Sequence, residues 1–240
     1  MKHILIAFVA LAMVSCRTSD AAKTPDKILV FTKTAGFRHK SIETAVKTIE
    51  ALGMQNNFEI THTEDALLFT TQNLKHYKLV IFLNTTGDIL NTDEEQAFEV
   101  YIKNGGSFMG IHSATDTEYE WAWYGKLVGA YFLNHPQQAT ATITRVDGKH
   151  LSTKHLPEHW VRYDEWYNFK SINQDINVLL NLEESTYEGG QNGENHPIAW
   201  YHEFDGGRSF YTGLGHTNQS YDEPEFQQHL LGGILYCLKR

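Results

Sequence analysis

Residues 105–136, GGSFMGIHSATDTEYEWAWYGKLVGAYFLNHP, decide which fold this chain can adopt. The segment opens with an apolar run, 107–111, that is typical of a strand buried on both faces. A polar turn (112–117), an aromatic run (119–124) and a short apolar helical pattern follow. Polar residues at the point where a parallel strand gives way to its helix lie at the carboxyl edge of an α/β sheet, where such folds bind ligands. We therefore expect the functional site at this edge.

The residues before this segment repeat the same alternation of strand, loop and helix. Continuous apolar runs at 27–31 and 78–83 predict buried parallel strands, and amphipathic patterns at 42–52 and from Thr92 predict helices. These units predict an α/β fold with a doubly wound, mostly parallel open sheet and helices on both faces. Neither G-x-G-x-x-G nor a Walker A pattern is present in the sequence, which argues against a nucleotide cofactor.

The pattern changes after Pro136. The alternation over 138–144 predicts an antiparallel strand, and the apolar pattern over 224–238 predicts a final helix. Cys237 lies in that helix, where a small buried core residue is expected rather than a nucleophile. The formal net charge is −9 and basic residues do not cluster, so nucleic acid is not an expected partner.

The N-terminus has the features of an exported chain. Basic residues precede an apolar run over 4–14, which is too short to span a bilayer and is typical of a secretory signal. The sequence Met13-Val14-Ser15-Cys16 resembles the bacterial lipoprotein cleavage box. We expect a signal peptide (1–15), lipidation of Cys16, a tether (16–26) and a single domain (27–240), anchored to the cell envelope only through lipid. Ordinary cleavage nearby, with Cys16 discarded or free, is the alternative.

Five motifs together resemble the ThuA-like, trehalose-utilisation family. They lie at 36–42, 110–136, 164–169, 196–200 and 207–234, and the likeness covers residues 27–240. The resemblance implies a flavodoxin-like fold similar to that of class I glutamine amidotransferases. It also implies a role in sugar metabolism, since members of the family often accompany enzymes of disaccharide and 3-keto-sugar breakdown. Sugar dehydrogenases of such a pathway are therefore expected partners.

This chain departs from the amidotransferases at their nucleophile. Those relatives place a reactive Cys on the turn after the strand equivalent to 106–111, whereas this chain has His112 there. Glutamine hydrolysis through a thiolate is excluded unless Ser113 substitutes, and the sequence demonstrates no oriented Ser-His-acid set.

Histidines at the ends of predicted elements are the main candidates for chemistry. Loops at one sheet edge can bring three of them together with Glu165 from a later segment, and we predict this set as catalytic: His39, His112, His216 and Glu165. A neutral imidazole beside a carboxylate can act as a general base, and the same groups can bind a divalent metal. Tight ligand spacing such as H-x-H is missing among them, which weakens the case for a metal. Each His could instead be a hydrogen-bonded structural residue.

The aromatic run predicts a platform for a sugar ring. Trp121, Trp123 and Tyr124 are expected to stack on the ligand, with core packing as the alternative. Asp116 is expected to bind sugar hydroxyls, or else to cap the next helix together with Thr117, for which capping is the favoured role.

Three further residues complete the predicted site. Arg38 is expected to bind ligand hydroxyls or a carboxylate, unless it pairs with a nearby acid. His135 and His196 are predicted ligand-binding residues, although each precedes a proline and could be held for turn geometry. The acidic, aromatic neighbourhood of Glu165 is expected to raise the pKa of its carboxyl group, unless Glu165 is simply an exposed loop charge.

The sequence therefore predicts an exported protein that binds a sugar or keto-sugar and acts on it by acid–base or metal-assisted chemistry. Two alternatives come from other classes of protein. One is a non-catalytic carbohydrate-binding accessory protein, and the other is a structural partner in an envelope complex.

Overall fold

The computed structural model describes residues 24–240. Its eleven strands are β1 (Asp26–Phe31), β2 (Phe58–Thr63), β3 (Leu79–Leu83), β4 (Ser107–Ile111), β5 (Tyr131–Asn134), β6 (Ala139–Arg145), β7 (His159–Asp164), β8 (Asn168–Lys170), β9 (Asn177–Leu182), β10 (Pro197–Phe204) and β11 (Gly207–Thr212). Nine strands form one sheet in the order β2-β1-β3-β4-β11-β10-β9-β6-β7, and β5 pairs with β8 in a small second sheet.

Five helices cover both faces of the large sheet. They are α1 (Ile42–Asn56), α2 (Thr71–Leu74), α3 (Thr92–Lys103), α4 (Ala122–Val128) and α5 (Pro224–Cys237). Consecutive residues of β4 show the two layers, because neighbouring side chains on a strand point to opposite faces. The Ser107 hydroxyl donates to the Cys237 carbonyl in α5, whereas Phe108 packs on Phe98 of α3 and Tyr124 of α4. Among the described residues, no helix is long and apolar enough to cross a membrane.

One half of the sheet, the parallel half, consists of β2, β1, β3, β4 and β11, and every neighbouring pair in it is parallel. The predicted strand at 107–111 matches β4, and the residues predicted to face inward on α1 are buried. The doubly wound, mostly parallel α/β fold is confirmed. Because the five strands share one direction, their carboxyl ends lie along one edge.

The other half, the antiparallel half, consists of β10, β9, β6 and β7, which alternate in direction. As a result β7 runs in the same direction as β11, four positions away in the sheet. Four strand spacings correspond to about 19 Å in a flat sheet. Nevertheless, the carboxylate of Asp164, the last residue of β7, accepts a hydrogen bond of 2.9 Å from the Gly215 amide, just after β11. The antiparallel half is therefore strongly curled.

The helix predicted from Thr92 is α3, and Asn91 caps it through a capping box with Glu94, whose side chain accepts from the Asn91 amide. One local prediction is corrected. Thr117 does not cap α4, because its buried hydroxyl bonds to Thr85 and to the Ser113 carbonyl. The predicted signal peptide, Cys16 and most of the tether fall on residues 1–23, outside the described residues. Cys237 is a buried core residue, as predicted.

Candidate functional site

Three histidines converge at the carboxyl edge of the parallel half. His112 directly follows β4, His216 follows β11 after a short glycine-containing turn, and His39 ends the loop after β1. Glu165 reaches them from the end of β7. One nitrogen or oxygen atom from each of the four side chains lies within 4.8 Å of all the others. The structure thus brings together the four residues predicted as catalytic, which we call the His–Glu cluster.

His112 is held in a strained but well-supported conformation. Its φ of 49° is in the left-handed region, which costs a non-glycine residue about 1–3 kcal/mol. Its Nδ1 lies 2.9 Å from the Gly213 carbonyl oxygen, so Nδ1 carries the proton and donates. The unprotonated Nε2 therefore faces the cluster, 3.2 Å from Nδ1 of His216. A histidine that binds a metal through one ring nitrogen usually donates a hydrogen bond from its other ring nitrogen, often to a backbone carbonyl. His112 has this arrangement.

Glu165 is buried among the histidines. Its Oε2 lies 3.0 Å from Nδ1 of His216 and 3.4 Å from Nε2 of His112, while Oε1 lies 3.4 Å from Nδ1 of His135. Burial acts to raise the pKa of the carboxyl, but the adjoining imidazoles of His112 and His216 outweigh it and hold the pKa well below its usual range. The raised pKa predicted from the sequence is wrong, and the group is a carboxylate at neutral pH.

His39 completes the cluster as a neutral imidazole. Burial, together with the neighbouring imidazoles of His112 and His216, lowers the pKa of His39 to about 2. Its ring is perpendicular to both of those rings, at centroid distances of 4.9 Å and 5.1 Å. A neutral ring offers a lone pair, which is the form that ligates a metal or accepts a proton.

The spacing of the cluster fits a single tetrahedral ion. Ligand atoms that lie about 2.0–2.1 Å from zinc in tetrahedral geometry lie about 3.3–3.4 Å from one another. The three distances among His112, His216 and Glu165 are 3.0, 3.2 and 3.4 Å. Three imidazoles with one carboxylate also form a donor set suited to zinc and neighbouring divalent metals. The residues present therefore fit a mononuclear metal centre.

Asp164 fixes the two halves of the site to each other. This fully buried carboxylate accepts from the amides of Glu165 (3.0 Å) and His216 (3.1 Å), so one side chain positions two cluster residues. Nη2 of Arg162 pairs with it at 3.2 Å, and the guanidinium lies over the rings of Trp160 and Phe226. The sequence contains no signal for this role, because it depends on the curl of the sheet.

Tyr167 is a second residue that the sequence did not identify. Its buried ring lies 4.3 Å from that of His112. His196 is fully buried, and its Nε2 bonds to the Tyr167 carbonyl while Nδ1 bonds to Glu184, both at 2.8 Å. Both ring nitrogens of His196 are therefore engaged by protein groups, which agrees with the structural alternative rather than with ligand binding. His135, by contrast, lies at the rim of the site with its side chain 43% exposed.

The predicted aromatic platform is not at the cluster. Tyr124 is fully buried and donates to the Ala114 carbonyl, so its ring belongs to the core. Trp121 and Trp123 stack on each other, and Nε1 of Trp123 donates to Asp205 in the turn between β10 and β11. That turn is at the opposite edge of the sheet, so the prediction fails for these rings.

The two remaining candidates are engaged by other protein groups. Arg38 pairs with Glu43 at 2.8 Å and with Glu64 at 2.7 Å, which is the alternative stated for it. Asp116 accepts a hydrogen bond of 2.7 Å from the Tyr119 hydroxyl, and burial raises the pKa of its carboxyl group.

The fold and the cluster define an α/β protein whose mostly parallel sheet presents histidines and a carboxylate, rather than a thiol, at its carboxyl edge. The ThuA family model, described as trehalose utilisation, matches residues 27–237, and the chain belongs to this family. No curated protein matches the chain significantly.

Solved structures share the fold at low sequence identity. A ThuA-like protein from Bacteroides uniformis has a TM-score of 0.76 at 22% identity and covers 92% of this chain and 94% of its own. A ThuA-like protein from Parabacteroides merdae has a TM-score of 0.74 at 19% identity, covering 89% and 90% respectively. A β-galactosidase from Bacillus circulans contains a similar fold in 31% of its chain, with a TM-score of 0.58 at 14% identity over 88% of this chain.

Proposed function

We propose that this protein is an exported enzyme of carbohydrate metabolism that binds a divalent metal at the His–Glu cluster and acts there on a sugar or keto-sugar. The observation that supports it most directly is the mutual spacing of 3.0–3.4 Å among ligand atoms of His112, His216 and Glu165, with His39 beside them. Membership of a trehalose-utilisation family supports a sugar as the class of substrate. Export rests on the sequence of residues 1–16 alone.

The residues around the cluster suggest how the site would work. A bound divalent ion would polarise a carbonyl or hydroxyl oxygen of the sugar. Glu165 directs one carboxylate oxygen to His112 and His216 and the other to His135, which is partly exposed to solvent. With Glu165 held as a ligand, the partly exposed His135 beside it is the group that would exchange a proton between the substrate and water.

Elemental mass spectrometry of the purified protein tests the metal centre, before and after chelation and after reloading with zinc, manganese or iron. We expect about one ion per chain in the unaltered protein, and an affinity at least about 100-fold lower after loss of one ligand. His112→Asn is the informative variant, because asparagine tolerates the left-handed conformation at this position whereas alanine would add strain. Glu165→Gln is also expected to lower the affinity for the metal.

The matched control is the pair His159 and Glu183, whose side chains lie 3.1 Å apart on the exposed surface. Replacing His159 with Gln should leave the metal content unchanged. If the unaltered protein binds no ion after reloading, or if His112→Asn retains it, the metal-assisted proposal is wrong. Sugar turnover without metal would then favour acid–base catalysis, and sugar binding without turnover would favour the accessory protein.

A further inference from the structure

One hydroxyl group beside the His–Glu cluster has no partner in the protein. Tyr167 is 3% exposed, and its hydroxyl makes no hydrogen bond to any group of residues 24–240. The oxygen is nevertheless not sealed off, unlike that of Tyr221, which is both unbonded and fully buried. A buried tyrosine usually finds a hydrogen-bond partner, because removing its hydroxyl from bulk water without one is unfavourable. The hydroxyl of Tyr167 is therefore free for a partner that the chain does not supply.

Two other tyrosines near the cluster differ from Tyr167 in this respect. The Tyr119 hydroxyl donates to the Asp116 carboxylate at 2.7 Å. The Tyr211 hydroxyl donates to the His112 carbonyl, also at 2.7 Å. Both of these hydroxyls are used to hold the turn that follows β4. Of the three, only the hydroxyl of Tyr167 is left with its proton to donate.

The ring of Tyr167 is held in place by packing. Its centroid lies 4.3 Å from that of His112 and 4.3 Å from that of Phe132, and the ring of His135 stacks at 6.0 Å. The Tyr167 carbonyl is held as well, because it accepts a hydrogen bond of 2.8 Å from His196. A donor that is already fixed loses little freedom when a ligand binds to it. The free hydroxyl is therefore preorganised.

The groups around the hydroxyl lie on the side of the cluster that opens to solvent. The carboxylates of Glu165 and Asp116 are both close enough to act on the phenol of Tyr167 electrostatically. Asp116 is likewise close enough to be affected by the charges of His112 and His135. Asp116 and His135 are both partly exposed. A solute can therefore approach the cluster from this side, and the hydroxyl lies where such a solute would meet it.

We propose that the Tyr167 hydroxyl touches the substrate, as the donor of a hydrogen bond to an oxygen atom of the sugar or keto-sugar bound at the His–Glu cluster. The inference rests on the proposed function and deepens it, because it adds a catalytic residue to the same site. A tyrosine hydroxyl carries one proton to donate. Directed at a carbonyl or hydroxyl oxygen, it stabilises negative charge that develops there during the reaction, and the proton stays on the phenol.

Isothermal titration calorimetry of Tyr167→Phe tests the proposal, on the protein as purified and after loading with zinc. The probes are methyl α-D-glucopyranoside and its 3-keto derivative. We expect the variant to bind at least one probe about three- to tenfold more weakly, which is the loss expected for one neutral hydrogen bond. Metal content should not change, because phenylalanine keeps the ring against His112. The urea midpoint should not change either, because the lost hydroxyl has no partner among the described residues.

Tyr124→Phe is the matched control, because it removes a hydroxyl that donates to the Ala114 carbonyl at 2.6 Å inside the core. It should lower the urea midpoint and leave the affinity for both probes unchanged, which is the reverse of the result for Tyr167→Phe. If Tyr167→Phe binds every probe as tightly as the unaltered protein does, the role of the hydroxyl is overturned while the sugar site at the cluster stands.

A fall in the urea midpoint of Tyr167→Phe as large as that of Tyr124→Phe would also overturn the role, because the hydroxyl would then have a partner within the protein. If neither probe binds to the unaltered protein, the proposed sugar site is wrong, and the role of Tyr167 is overturned with it. The metal content then decides separately whether the proposed metal centre stands.

Discussion

The two halves of the sheet contribute to the His–Glu cluster in different ways. The parallel half supplies His39, His112 and His216 simply because its strands end at one edge. The antiparallel half supplies only Glu165, from the far end of the sheet, and needs the buried carboxylate of Asp164 to hold that end against the turn after β11. Parallel neighbouring strands place the residues that follow them at one site without further help. A residue from a distant strand reaches the same site only when a specific buried polar contact holds that strand in place.

Removing the Asp164 carboxylate should separate the halves and have the largest effect on stability. Asp164→Ala leaves the Arg162 guanidinium, which is 2% exposed, without its nearest partner, and such a loss costs about 3–5 kcal/mol. Glu223, at 3.4 Å, compensates only in part because it is partly exposed. Urea unfolding measures the change, and the metal affinity should fall as well, since Glu165 and His216 lose their common anchor.

A matched carboxylate in the parallel half sharpens this comparison. Asp65 also accepts a backbone hydrogen bond, from Leu67 at 3.0 Å, but it is exposed and has a capping role. Asp65→Ala should cost about 1 kcal/mol and leave the metal affinity unchanged. An equal loss in the free energy of unfolding for Asp65→Ala and Asp164→Ala would show that Asp164 does not join the two halves.

Acid should weaken the contact between α5 and the antiparallel half. His229 in α5 bonds to the Ser152 carbonyl at 2.9 Å, and burial lowers the pKa of His229 to about 3. An unfolded chain has a histidine pKa of about 6.5, so the unfolded state binds the proton first as the pH falls. The stability is therefore complete above pH 6.5 and is lost towards pH 3, by up to about 1.4 kcal/mol per pH unit from this group.

Urea unfolding at several pH values between 7 and 4 measures this slope. His229→Gln keeps a donor for the Ser152 carbonyl but does not titrate, so its stability should fall less steeply than that of the unaltered protein. Identical slopes for the two proteins would contradict a role for His229 in acid sensitivity.

The smallest effect is expected in the parallel half, at the aromatic run. Tyr124→Phe removes the hydroxyl that donates to the Ala114 carbonyl at 2.6 Å and should cost about 1 kcal/mol. Metal content and sugar affinity should not change, because the ring is fully buried in the core. A selective loss of sugar binding in this variant would show that the Tyr124 hydroxyl takes part in ligand binding, against its position in the core.

The parallel half was predictable because its signals are local. The apolar run at 107–111 is itself a strand, and the position of a polar residue after such a strand places it at the site, which is how His112 was found. The sequence predicted Trp121 and Trp123 at the site because they follow β4 in the chain. A run of aromatic residues does not show which edge of the sheet each ring faces.

The antiparallel half was not predictable to the same degree. Its strand at 138–144 was recognised, but strand order and curl depend on pairings between residues distant in the chain. The direction of the pKa shift at Glu165 depends on those pairings too, because it follows from how closely His112 and His216 approach the carboxylate, a distance that a sequence does not contain.

The position of the cluster residues along the chain also orders events during folding. His39 lies in the first loop of the sheet and His216 follows its last strand, while Asp164 joins segments more than fifty residues apart in the chain. Contacts of such long range form late in folding. The complete set of ligands exists only once the whole domain has folded, so a spectroscopic signal from a bound ion would report the final step of folding.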